Sequence, residues 1–145
     1  MGDGIVYQAF DRSGERKVAE VEEGGLAVDM PVVVLANGDT ASSAEIVSGA
    51  IQDAERGKVV GEKTFGTGTV LGRFDLSDGS SMRIGVERWL TRGGRPIWHE
   101  GLDPDIKVEL AEDAQPLLPD ALREMSAAEW EAATDPQVRK AVELL

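Results

Sequence analysis

Apolar positions along this chain follow two rhythms. In Pro31-Val32-Val33-Val34-Leu35-Ala36 they run together, a short β-branched stretch that predicts a strand buried on both faces. After the polar loop Asn37-Gly38-Asp39-Thr40 the rhythm becomes helical. Ile46, Val47, Ala50, Ile51 and Ala54 fall on one stripe, which predicts an amphipathic helix from about Ser43 to Arg56. Lys58 to Val60 then supply a second buried strand. Residues 31–60 therefore read as a β-α-β unit, with a right-handed crossover if its strands are parallel.

The flanking segments read as hairpins. Ile5 to Phe10 and Lys17 to Glu22 enclose the polar turn Asp11-Arg12-Ser13-Gly14. Thr69 to Leu76 and Ser81 to Leu90 enclose Ser77-Asp78-Gly79-Ser80, where Asp-Gly supplies the positive φ angles of a tight turn. Met82, Ile84, Val86 and Leu90 alternate onto one face. Thr91 to Arg95 is another glycine turn, and Gly101-Leu102-Asp103-Pro104-Asp105 is a rigid loop. Ile106, Val108 and Leu110 alternate as a last strand. From about residue 117 the tail is helical: Ser126-Ala127-Ala128-Glu129 has the capping-box pattern, and Asp135-Pro136 puts a cap residue before a proline at the first helical position. The whole reads as one α/β domain, residues 1–145.

Composition narrows the function. Twenty-seven acidic against 15 basic residues give a formal charge of -12, which opposes binding to a phosphate backbone or an anionic membrane. Without cysteine there is no disulfide or thiolate metal site, and the single histidine, His99, excludes His-rich metal chemistry. Gly66-Thr67-Gly68 leads into a strand and lacks the Lys-Ser or Lys-Thr of a phosphate loop. Asp103-Pro104-Asp105 and Asp75 to Asp78 lack the ligand spacing of a calcium loop and read as solvated turns. No cofactor or metal is implied. Trp89, Trp98 and Trp130 read as packing residues. The N-terminus has neither the basic nor the apolar region of a secretory signal, and its closeness to the first strand suggests a piece of something longer.

Candidate chemistry gathers at Asn37 to Glu45, where small hydroxyl residues stand between a buried strand and a helix. Unpaired N–H groups and the partial positive charge of a helix N-terminus stabilise an oxyanion formed when a serine there attacks a carbonyl. Ser42-Ser43-Ala44-Glu45 also matches a capping box, in which the Ser42 hydroxyl merely accepts the N–H three residues on. Local pattern leaves both readings open.

Four blocks, in order, resemble the C-terminal processing (tail-specific) serine peptidases: Pro31 to Asp53, Val60-Gly61-Glu62-Lys63-Thr64-Phe65-Gly66, Leu76-Ser77-Asp78-Gly79-Ser80, and Gly101 to Asp105. The resemblance implies a ClpP/crotonase-like α/β peptidase core, of which this chain is the C-terminal part. It implies protein or peptide C-terminal segments as substrates or ligands, and a bacterial periplasm or cell-envelope location. It puts the nucleophile position on Ser42 and one oxyanion-hole donor on the backbone N–H of Ser43.

The same resemblance exposes a departure. The family's lysine base falls on Thr67, and the glutamine that orients it falls on Leu71. A threonine hydroxyl is no base near neutral pH, and positioned general-base catalysis contributes about 10² to 10⁴-fold. The alternative is then a pseudopeptidase that binds peptides without turning them over. Lys63, a neighbouring lysine, would need a strongly lowered pKa to serve instead. His99 has the right intrinsic pKa but matches no catalytic position. An upstream Asn-Pro-Gly-Gly-type segment and a PDZ domain, both usual in the family, have no match here. A truncated sheet leaves room for a second copy, a homo-oligomer.

Overall fold

The computed structural model describes residues 4–25, 27–111, 114 and 116–145. Its elements run β1 (Ile5–Asp11), β2 (Arg16–Glu20), β3 (Val33–Ala36), α1 (Ser43–Asp53), β4 (Lys58–Gly61), β5 (Thr69–Asp75), β6 (Ser81–Thr91), β7 (Ile106–Lys107), α2 (Pro119–Glu124), α3 (Ala127–Ala132) and α4 (Pro136–Leu144). They form two sheets. One is antiparallel, in the order β2-β1-β6-β5; the other is parallel, in the order β3-β4-β7.

The β-α-β unit forms as its pattern predicts, with β3 and β4 parallel from Val33 opposite Lys58 to Ala36 opposite Gly61. Val59 and Val60 are fully buried in β4, the middle strand. β3 departs from expectation, since Leu35 remains 40% exposed rather than buried on both faces. Its place at the sheet edge explains this: among the described residues only β4 pairs with it, and α4 packs against part of it. The expected last strand also shortens to Ile106–Lys107. Beyond it the chain still follows β4, with Val108 N–H donating to Gly61 O at 2.9 Å and Leu110 N–H to Glu62 Oε1 at 2.9 Å.

Where the two sheets and α1 meet, Ile46, Ile97 and Leu102 form a buried cluster, with Val6, Tyr7 and Trp89 packed against it. Full burial of side chains of this size contributes about 1.5–3 kcal/mol each. Tyr7 and Trp89 meet edge to face at 6.2 Å. Gly49 lets the helix approach the sheet closely, since a Cβ there would sit 3.0 Å from Thr91 Cγ2.

The β5–β6 hairpin leaves this core and enters solvent. Leu76 N–H donates to Ser80 O at 2.8 Å and Gly79 takes φ 86°. Only the glycine of the Asp-Gly pair needs a positive φ, as in a longer loop closed by one left-handed residue. Phe74 pairs with Met82 and Gly72 with Ile84. A Cβ on Gly72 would meet both Val86 and the Phe74 ring within 3.1 Å, so the alternating apolar residues do share a face. That face is exposed. The tail helices are capped as predicted: Ser126 Oγ accepts Glu129 N–H, and Asp135 accepts the N–H groups of Gln137 and Val138.

Candidate active site

Ser42 is the cap residue of α1, with φ 59° and ψ -125°. A side chain at that combination is strained by roughly 1–3 kcal/mol, and such strain is kept where surrounding contacts over-determine it. The residues of the capping box come together, and its carboxylate arm carries the well-formed hydrogen bond. Ser42 N–H donates to Glu45 Oε2 at 2.9 Å, whereas Glu45 N–H turns to the Ser42 carbonyl at 3.0 Å, and the Ser42 hydroxyl takes no cap hydrogen bond. Among the described residues neither that hydroxyl nor the N–H of Ser43, the first residue of α1, has a partner.

Glu45 holds this strain in place. It is fully buried, and its two oxygens accept four hydrogen bonds. Oε1 takes the Thr64 hydroxyl at 2.6 Å and Gly66 N–H at 2.7 Å; Oε2 takes Thr67 N–H at 3.0 Å together with Ser42 N–H. Buried polar groups persist when fully partnered, and here one carboxylate partners two loops at once. It brings Ser42 and Thr67 to the same oxygen. Sequence pattern finds only the local member of this set, the cap; the signal for the others is the hydroxyl of Thr64 just before the Phe65-Gly66-Thr67-Gly68 loop.

That loop is pinned from its other side. Gly66 O accepts His99 N–H at 2.9 Å and Gly68 O accepts Trp89 N–H at 2.8 Å. Gly66 and Gly68 have φ 88° and 50°, and a Cβ on Gly68 would run into the Trp98 backbone. Thr64 joins the rigid loop of the fourth sequence block, its hydroxyl accepting Leu102 N–H at 2.8 Å. At the end of that block lies Asp105. Burial works to raise its carboxyl, but Val59 N–H, the Gln52 amide and Lys58 outweigh burial and hold it below the usual carboxylate range.

The remaining candidates lie outside the carboxylate cluster. Lys63 is half-exposed, its ammonium 3.5 Å from Asp103. His99 is exposed with φ 61°, its ring against Trp98 at 4.3 Å. Leu71 sits in β5, 55% exposed, on the wall of a cleft of about 680 Å³ next to Trp98. The third sequence block, Leu76 to Ser80, is the far turn of the hairpin.

One consequence concerns stability alone. Glycine adopts the Ser42 backbone angles freely, whereas alanine keeps the strain. Ser42→Gly is expected to be more stable than Ser42→Ala by about 1 kcal/mol, after the entropic cost of glycine is subtracted. Urea denaturation of the two variants checks this, and equal midpoints would mean the backbone is relaxed.

Comparison with known proteins gives the chain a family. The sequence pattern of peptidase family S41 matches residues 1–108. A carboxyl-terminal-processing protease of Synechocystis sp. is 41% identical over 141 residues, covering 97% of this chain and 30% of that protein. A chloroplastic C-terminal processing peptidase of Tetradesmus obliquus is 37% identical over 99 residues, covering 68% and 21%. Among solved structures, a photosystem II D1 C-terminal processing protease superposes with a TM-score of 0.70 at 35% identity, over 75% of this chain and 28% of that one. The chain thus spans less than a third of the length of these relatives.

Proposed function

Because the chain belongs to peptidase family S41, we propose that it supplies the nucleophile and part of the oxyanion hole of a serine endopeptidase acting on polypeptides. The carrying observation is Ser42: a strained backbone, an unengaged hydroxyl, and a neighbouring N–H with no partner among the described residues. On this reading Ser42 Oγ bonds to the scissile carbonyl carbon as its hydroxyl proton passes to water, the carbonyl π pair moves onto oxygen, and Ser43 N–H receives the resulting oxyanion at the positive end of α1. C-terminal segments of proteins, which the resemblance implies as substrates, remain the substrate class of this reading. So does the bacterial-envelope location, although a chloroplastic relative means that family membership alone does not carry a compartment.

Thr67 favours a second reading. Its N–H shares Glu45 Oε2 with Ser42 N–H, so the position where the resemblance expects a base is beside the serine but carries a hydroxyl. The site then keeps its geometry and binds peptide without turnover.

A fluorophosphonate probe, read by intact mass and peptide mapping, separates the two. Labelling of Ser42, absent from Ser42→Ala, is the outcome expected of a peptidase site. A wild-type chain that stays unlabelled at Ser42 under conditions that label a reference serine peptidase would refute the nucleophile assignment.

A further inference from the structure

Two arginines stand beside the cleft that Leu71 lines. The cleft, about 680 Å³, has apolar walls from Phe10, Leu71, Val86 and Trp98. Arg88 lies over the Trp98 ring, 3.9 Å from its centroid, and Arg12 reaches the cleft from the turn after β1. Among the described residues neither arginine has a carboxylate within ion-pairing distance.

The two acidic residues at the same cleft are already engaged. Asp11 Oδ1 accepts Ser13 N–H at 2.8 Å, the Ser13 hydroxyl at 2.7 Å and Glu15 N–H at 3.0 Å. Glu87 is paired with Lys17. Asp11 keeps its negative charge with one oxygen taken by these hydrogen bonds, and Glu87 is ion-paired, whereas the guanidinium groups of Arg12 and Arg88 have no carboxylate partner among the described residues.

We propose that this cleft is a selectivity pocket for an acidic side chain, Glu or Asp, in a polypeptide segment that also carries a large apolar residue. The carboxylate meets the guanidinium groups, for which planar bidentate pairing is the natural geometry. Its methylene stem and the apolar neighbour cover Leu71 and the exposed edge of Trp98. Leucine suits this role where the glutamine expected from the resemblance does not, because it presents apolar area without a competing amide. The proposal rests on reading the chain as a protein that handles polypeptides, and it does not depend on Ser42 being reactive.

Calorimetric titration of the full chain with N-acetylated, C-amidated octapeptides containing one Glu beside a Leu, and their Gln counterparts, tests it. The Glu peptide is expected to bind about tenfold tighter at low salt, the difference a charge-assisted hydrogen bond makes, with the gap narrowing as salt is added. Arg12→Gln and Arg88→Gln should each shrink the Glu/Gln ratio and together bring it near one, while Ser42→Ala leaves it unchanged. Thermal melts confirm that the variants fold. Equal binding of Glu and Gln peptides, or a ratio that survives in the double variant, overturns the proposal. So does binding that appears only with peptides bearing a free terminal carboxylate. Failure of the nucleophile assignment appears instead in probe labelling, with the Glu/Gln ratio intact.

Discussion

Replacing Glu45 by alanine is expected to cost about 4 kcal/mol or more of folding stability. The carboxylate accepts three backbone N–H groups and the Thr64 hydroxyl, at 2.6–3.0 Å, in a fully buried setting. Each donor left without a partner away from water costs roughly 1–3 kcal/mol, and the total is softened where water enters the cavity. Such a loss is a large share of the about 5–15 kcal/mol that holds a domain together. Glu45→Gln keeps one accepting oxygen but turns an NH₂ toward two donors, so it should fall between alanine and wild type. Denaturant titration followed by circular dichroism measures this, with proteolysis at residues 65–68 as a local readout. A Glu45→Ala loss within about 1 kcal/mol would mean that the two loops are held by something other than this carboxylate.

The second large effect is a gain. Installing the expected pair, Thr67→Lys with Leu71→Gln, should raise the rate of fluorophosphonate labelling at Ser42 by about 10² to 10⁴-fold, the usual contribution of a positioned general base. The backbone at residue 67 is already fixed beside Ser42 through Glu45 Oε2. Residue 67 is half-buried at the positive end of a helix, two conditions that push a lysine toward its neutral, proton-accepting form, while the Glu45 carboxylate, already engaged by four donors, pulls the other way. The rate should rise with pH as the amine deprotonates. No gain, in a double variant that melts like wild type, would mean that residue 67 does not face the serine and that the base is supplied elsewhere.

Much of the architecture is legible because it is local. The β-branched run, the helical stripe and the second short strand between residues 31 and 60 each carry their own period, and the caps at Ser126 and Asp135 are set by neighbours within three residues. Glu45 shows where this legibility ends. Its bond to Ser42 N–H is local and the capping pattern predicts it; those to Thr64, Gly66 and Thr67 span 19 to 22 residues and leave no periodic trace. The strain at Ser42 is equally hidden, since only glycine announces a positive φ in a sequence. β3 reads as doubly buried because its composition does not say whether it lies inside a sheet or at its edge. Leu71 reads as a missing glutamine from the resemblance, while its place on the cleft wall emerges only when β5, β6 and the Trp98 turn come together.

The contact between Glu45 and residue 67 is made to the main chain. Any amino acid with an N–H can satisfy it, so this hydrogen bond places no demand on the side chain that projects from that position. A lineage could therefore lose or regain a basic group there without unfolding on the way, whereas Glu45 itself has no such freedom. In this site the scaffold and the proton chemistry are separately heritable: the first is fixed by a buried carboxylate, and the second is open to change at the side chains of residues 67 and 71.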